Sequence, residues 1–521
     1  MDTSMMKVEE ACPGEDLTLS AGSFRISSEI IMHILRFLCP TDIISMRKTC
    51  RMMHRITKCR VVWLEALERV CEKYGIFKPT FPMETMSILE LEHASTGPVK
   101  FLGGVKMYHD EECVRPYLTR TPQLRRERSS HDSYSYDTFH LVPGGRFLLT
   151  SDLNTIWLFD LGYNMNVPVK PLPLATLEGF GEMQSIAPTT NGKELLIASL
   201  KRFPYGGPEP KPILYIHQIS PNHGTKDSKF LCKRKLELQT HQAIHIGNIH
   251  LTSTFVFFKC KEEFVLWNWA ENTGCRWPTF NTHLYLNTYP FKDTILAPGQ
   301  NEEIYVYDLP TPTSLIATDQ ARPVKLDDLE SITNGPKASF PPPGSASGRN
   351  GADLCTPSVW CETSPFDPHV CVIYPNEITS HLQLYSMKPM KDPESPFFPR
   401  SLPAPGGHTI KFYGDDHSSS FYQLLPSIFR FDDELVICTS SHERGLLMSI
   451  LPVPSKATLE EITPTTVVLV PSGSLMQEIE PTQFAFCPMS GRVVYFGSSG
   501  MSDDVQIVDY LLPPEEVLQE P

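Results

Sequence analysis

The stretch GGRFLLTSDLNTIWLFDL, residues 144–161, holds one complete structural unit. Residues 146–150 and 156–161 are strand-length runs rich in Leu, Ile, Phe and Trp, and the Ser, Asp and Asn between them are turn residues. It reads as a β-hairpin. The same unit returns six times: 194–198 with 213–216, 255–258 with 264–267, 294–296 with 304–309, 370–374 with 382–385, 435–438 with 446–450, and 492–496 with 505–509. Strand repeats about 40 to 75 residues apart predict a β-propeller, in which each four-stranded blade buries its faces against its neighbours. The longer spacings require insertions, and two packed sandwiches are the alternative that seven hairpins leave open.

The expected fold is therefore mainly β, an irregular, seven-bladed propeller over residues 138–512. A flexible insertion at 330–365 surrounds the Pro-rich FPPPGSASG of residues 340–348, and residues 513–521 form a Pro- and Glu-rich tail. Several hairpins resemble the WD-type repeat. Val142-Pro143-Gly144-Gly145-Arg146 and Pro188-Thr189-Thr190-Asn191-Gly192-Lys193 stand where that repeat turns into its second strand. Phe159-Asp160 and Tyr307-Asp308 stand where it closes on Trp-Asp.

Ahead of the β region, residues 24–74 follow helical spacing. A first helix is expected from a Ser27 or Ser28 cap to about Leu38, with Glu29 placed at the positive end of its dipole. Ile30, Ile31, Met32, Ile34, Leu35, Phe37 and Leu38 leave it a narrow polar stripe of Glu29, His33 and Arg36. Cys39-Pro40 ends it. Thr41 or Asp42 is the expected cap of a second helix carrying Ile43, Ile44 and Met46, and a basic loop leads to a third with Val61, Val62, Trp63, Leu64, Leu67, Val70 and Cys71. Three helices in some fifty residues bury too little surface to hide all of this. The spare face either packs on the chain's own C-terminal domain or meets another protein.

Ile26-Ser27-Ser28-Glu29-Ile30, Ile34-Leu35, Leu38, Pro40, Asp42-Ile43, Met46-Arg47, Thr49-Cys50-Arg51, Met53, Ile56 and Trp63 resemble the F-box. The family usually opens Leu-Pro-x-Glu and closes on a Trp after a Cys-Arg pair; here Ile26 and Ser27 replace the opening pair. The resemblance implies an F-box over residues 23–75 that docks on the Skp-type adaptor of a cullin ubiquitin ligase. Ile26, Ile30, Ile34, Leu35, Leu38, Pro40, Ile43 and Met46 are the expected docking surface, while Cys50, Ile56, Val62 and Trp63 are expected to hold the helices together.

The remaining features narrow the reading. A formal charge of −14 argues against nucleic acid as a general partner. The sign is uneven: residues 24–78 carry eleven Lys or Arg against five Asp or Glu, whereas residues 1–23 carry one Lys against five acids. A basic helical module suits an acidic partner. Residues 1–22 are expected to be a disordered tail. No secretory or membrane-length apolar run occurs, no Asn-x-Ser/Thr site is present, and the fourteen cysteines are scattered, so an intracellular protein, cytoplasmic or nuclear, without membrane contact is expected. Residues 76–137 read as a helical and loop linker: Gly75 and Pro79 stop the preceding helix, METMSILELEHAS from Met83 is amphipathic, and Leu124-Arg125-Arg126-Glu127-Arg128 is a solvated run.

No phosphate-cradling Gly loop, paired-Cys zinc spacing or Ser nucleophile elbow is present, and no cofactor or metal is expected. His241, His245 and His250 lack the spacing of a ligand set, and Asp415-Asp416-His417 and Asp503-Asp504 read as polar loops. Trp157, Trp267, Trp269, Trp277 and Trp360 suit either the wedges between blades or a recognition surface. The expected function is that of a non-enzymatic substrate-recognition subunit, the propeller holding an unidentified target protein. The alternatives are a propeller enzyme with a helical prefix, its residues converging from several blades, and an F-box scaffold outside any ligase.

Overall fold

The computed structural model describes residues 26–109, 112–124, 138–152, 154–202, 211–221, 228–238, 246, 248–280, 288–291, 293–299, 303–311, 324–340, 353–355, 360, 369–375, 379–389, 401–413, 427–441, 445–453, 464–471, 484–496 and 505–514. The expected tail at 1–22, all but two residues of the one at 513–521, the run Arg125–Arg128, His241, His245, Asp415–His417 and Asp503-Asp504 lie outside them. The described residues fall into two compact units, one formed by residues up to 70 with 83–96, the other by 71–82 with 97–513. Among the described residues, no helix is long and apolar enough to cross a membrane.

The second unit is built of the hairpins read from the sequence, and all seven pair antiparallel. In the first, Phe147 faces Asp160 and Thr150 faces Trp157. Each hairpin is completed by flanking strands into a sheet of four or five. Neighbouring sheets share their interiors. Leu148, Trp157 and Phe159 pack with Val494, Val505 and Ile507 of the last sheet, and Phe147, Leu149 and Leu158 with Leu195, Ile197 and Ile219 of the next. Leu196 and Ile216 then meet Val256, Phe258 and Trp267, while Phe257, Phe264 and Trp277 meet Ile295, Tyr305 and Tyr307. The first three sheets are apolar on both faces, which only face-to-face neighbours can satisfy; this unit is a β-propeller.

Six of these sheets have described interiors. The structure shows six blades where seven were expected; Asp353–Cys355, His369–Pro375, Thr379–Pro389 and Ser401–Tyr413 pair as a further four-stranded sheet.

Three further expectations change. Leu118–Arg120, placed in the linker, is the outer strand of the last blade, paired antiparallel with Val505–Asp509. Joining a strand from before the first blade to the last blade fixes both ends of the β domain to each other. The region from 330 is not a flexible excursion throughout. After the fourth hairpin, Val324–Lys325 adds in parallel to the edge of Leu231–Glu237, Glu330–Ser331 adds in parallel to Thr273–Pro278, and Ala338–Phe340 returns to Ile304–Asp308. The chain straps the edges of the second and third blades, held by buried Val324, Leu326 and Leu329; residues 341–352 lie outside the described ones. Finally, Leu124, read as part of a solvated run, is buried between the first and last blades.

A charged clasp recurs at the base of two hairpins. Arg146 grips Asp160 through two bonds of 3.0 and 3.1 Å. Burial works against the Asp160 carboxylate, but Arg146, the Gly162 N–H and Lys170 together hold it below its ordinary range. In the last blade, Arg492 Nε lies 2.6 Å from Asp509 Oδ1, both side chains being almost wholly buried. Its Nη1 donates across to the carbonyls of Gly145 and Gly162, and Arg120 holds the other Asp509 oxygen at 2.7 Å. Gly145, at φ +78°, sits where any side chain would overlap Ser490.

His217, in the third strand of the second blade, is fully buried with Phe180 edge-on at 4.8 Å and Tyr215 stacked at 5.8 Å. Neither ring nitrogen has a hydrogen-bond partner among the described residues. Burial, helped by the charge of Lys235, pushes its pKa down to about 3. The folded state thus prefers the neutral ring, so this site's stability is complete above the unfolded value near 6.5 and is lost as pH falls from there toward 3. By pH 5.5 the expected loss is about 1 kcal/mol. Urea titrations of wild type and His217→Phe between pH 7.5 and 5.5 test this; a variant with an undiminished pH slope refutes it.

Candidate functional site

The first unit contains the helices that the sequence marked for docking. They are α1 (Ser28–Leu35), α2 (Pro40–Arg47), α3 (Arg51–Ile56) and α4 (Arg60–Lys73), of which the first eleven residues of α4 belong here, and the start of α5 (Ile88–Val105). Four helices replace the expected three, because the basic loop contains α3. Ser27 caps α1, accepting from the Ile30 N–H at 3.4 Å, and the helix stops at Leu35 rather than Leu38. Arg69 takes up the freed Leu38 carbonyl at 2.9 Å. Cys39 rather than Thr41 or Asp42 precedes α2, since Pro40 is suited to the first helical position. α5 begins after Ser87, not at Met83: Ser87 and Glu90 bond each other's backbone N–H groups, at 3.2 and 2.8 Å.

Ile31, Leu35, Ile43, Ile56, Val62, Trp63, Leu67 and Leu91 form the interior of this module. Trp63 is its largest member, fully buried, and its indole N–H donates to the Thr57 carbonyl at 2.7 Å. Arg47 lies over that indole at 5.4 Å and reaches Glu92 through two bonds of 3.0 and 2.6 Å. Arg60 donates to the carbonyls of Met83, Glu84 and Met86. Two arginines that read as polar surface therefore tie α2 and α4 to the α5 approach. Sequence reasoning missed both, since their partners are 23 to 45 residues away.

The outer face differs. Ile26, Ile30, Ile34 and Phe37 are 45, 54, 44 and 76 % exposed, four large apolar side chains at spacings of four, four and three residues. Ile30 and Ile34 share one face of α1, with Ile26 just before the helix and Phe37 just after it, while Ile31 and Leu35, about 100° further round, turn inward. Leu38, Pro40 and Met46 are half-buried. Leu35 and Ile43, expected on the docking surface, are 1 and 0 % exposed and belong to the core, because a two-faced helix must turn one face inward. Phe37 was missed as a surface residue, although its place three residues after Ile34 puts it on the stripe. Cys50, expected to help hold the helices, is exposed at the start of α3 and contributes nothing to the interior. Ile56, Val62 and Trp63 are buried in the module's interior.

The model of the F-box domain matches residues 24–65, the stretch that forms α1 to α3 and the start of α4. Residues 24–65 are an F-box domain. The chain is an F-box protein with a C-terminal β-propeller. No curated protein matches it. Among solved structures, the chain is similar to the WD40 repeats of RRP9, at 10 % identity over 78 % of this chain and 99 % of that one, with a TM-score of 0.41. The WD40 domain of Toxoplasma gondii coronin is similar at 10 % identity over 78 and 89 %, with a TM-score of 0.39. U3-55K is similar at 10 % identity over 76 and 100 %, with a TM-score of 0.40.

The propeller offers a second candidate, a cavity of about 390 Å³ lined by residues 71–72 and 75–78 and by the turns at 187–192 and 252–253. Trp360, half-buried, forms one wall and meets Phe77 edge-on at 5.7 Å. The Asn191 side-chain oxygen is engaged by Thr189 and the Lys193 N–H, and Lys78 pairs with Glu72 at 3.1 Å. Trp157, Trp267, Trp269 and Trp277 are buried between strands, whereas Trp360 stands on the wall of this cavity. His250 meets Tyr289 in a tilted ring contact at 4.6 Å.

Proposed function

We propose that this F-box protein is the substrate-recognition subunit of a cullin-based ubiquitin ligase. Its F-box docks on a Skp-type adaptor and its propeller binds the target protein. The chain supplies no acid, base or nucleophile; it works inside the cell, where holding a target beside the transfer machinery raises effective concentration and so the rate. The observation that carries this reading is the exposed stripe of Ile26, Ile30, Ile34 and Phe37 in a domain matched as an F-box. Four large apolar side chains in a row are a poor solvent face and a good central patch for a protein interface.

Co-expression of the full chain with the adaptor and a cullin tests the proposal. Wild type is expected to retain both, and Ile30→Asp/Ile34→Asp to bind the adaptor at least about 100-fold more weakly, since the interface would have to bury unpaired carboxylates. Both substituted positions are exposed, so the fold of the module is expected to survive. Recovery of the adaptor without a cullin would instead favour a scaffold, and an unchanged affinity in the double variant would remove the stripe from the interface.

A further inference from the structure

Between Asp42 and Glu65 the chain has six Lys or Arg and no acid. The structure sorts them into two kinds. Arg47 and Arg60 are half-buried and engaged within the module. Lys48, Arg51, Arg55 and Lys58 are exposed, and among the described residues none of their side chains forms an ion pair or hydrogen bond. Their spacing is unfavourable to the helix they surround. Lys48 with Arg51, Arg51 with Arg55, and Arg55 with Lys58 stand three or four residues apart, where like charges repel. Arg51 also opens α3, at the positive end of its dipole, with no acid in that turn. Lys48, Arg55 and Lys58 stand at or just past the C-terminal ends of α2 and α3, where positive charge suits the dipole. Helix-end electrostatics therefore accounts for part of the cluster, but neither for Arg51 nor for four like charges on so short a segment.

We infer that Lys48, Arg51, Arg55 and Lys58 form an electrostatic landing face for an acidic stretch of the adaptor that docks on the α1 stripe. This rests on the docking role proposed above and deepens it by stating the chemistry of the partner's rim. α3 packs against both α1 and α2, so charge and stripe belong to one small module. A standard interface of about 800 Å² per partner spans such a module. The occupant is an acidic protein rather than a polyanion or a lipid surface: four exposed apolar side chains in the same small module have no use on a phosphate backbone. Residues 24–78 are also a basic island in a chain of net charge −14, which disfavours a long polyanion. Rim charges of this kind act on encounter more than on residence.

The test immobilises the full chain and measures association and dissociation of recombinant Skp-type adaptor at low (about 50 mM) and high (about 500 mM) salt. Replacing Lys48, Arg51, Arg55 and Lys58 together by Gln is expected to slow association roughly tenfold at low salt, to leave dissociation within about twofold, and to match wild type at high salt. Lys48→Gln/Lys58→Gln, which flanks α3 without altering it, is expected to show about a threefold slowing and guards against misfolding of the quadruple variant. Association rates and salt slopes equal to wild type in both variants overturn the inference while leaving the docking role intact. Failure of wild type to bind the adaptor removes both. Phosphatidylserine vesicles and an RNA oligonucleotide serve as competing probes; loss of either by the quadruple variant, with adaptor rates untouched, assigns the face to that partner and overturns the inference.

Discussion

Arg492→Met is expected to destabilise the propeller by about 3–5 kcal/mol, read as a lowered urea midpoint in the tryptophan fluorescence of the full chain. Arg492 is 3 % exposed and makes three connections at once: to Asp509 in its own hairpin, and to the carbonyls of Gly145 and Gly162 on either side of the first blade's hairpin. Methionine fills the volume and abandons all of them. The buried Asp509 keeps only Arg120, and two carbonyls lose their donor. Arg492→Lys retains the charge but presents no planar fork, so an intermediate loss of about half that size is expected. The position matters because Leu118–Arg120 and Val505–Asp509 bring chain segments nearly four hundred residues apart into one sheet. A midpoint for Arg492→Met within about 1 kcal/mol of wild type would mean that the apolar seam of Leu148, Phe159, Val494 and Ile507 suffices by itself.

What the sequence disclosed follows the range of the forces involved. All seven hairpins were legible because both strands and the turn lie within 13 to 23 residues, and strand composition and turn chemistry are local signals. Leu118–Arg120 was not: three residues carry no periodicity, and their partner is at the other end of the domain. The parallel strap at 324–331 was hidden for the same reason, with two-residue strands whose pairing runs backward to earlier blades. In the F-box, helical spacing announced a surplus of apolar side chains on α1 but not which face turned inward. Leu35 and Ile43 went to the core, while Ile26, Ile30 and Ile34 stayed outside with Phe37. Arg47 shows the limit most plainly, since only the fold brings Glu92 and the Trp63 ring within its reach.

Trp63→Ala is expected to abolish adaptor binding without touching the docking stripe. The indole is the largest fully buried side chain in the helical module, and its removal costs about 3–5 kcal/mol in transfer energy and cavity. The loss does not stop at volume. Its N–H releases the Thr57 carbonyl, and Arg47 loses the ring it covers while remaining bound to Glu92. A module of this size has a stability comparable to that loss, so its helices are expected to unfold while the propeller, with its own core, remains folded. Hydrogen exchange on the full chain separates the cases: fast exchange across Ser28–Leu35 and Pro40–Arg47 with unchanged protection across Phe147–Ser151 and Thr155–Asp160 is the expected pattern. Trp63→Phe keeps most of the volume and loses only the hydrogen bond, so a cost of about 1–2 kcal/mol and retained binding are expected. If Trp63→Ala leaves the helices protected but still abolishes adaptor binding, Trp63 acts at the interface and not through the core, and the division of α1 into an inner and an outer face has to be redrawn around it.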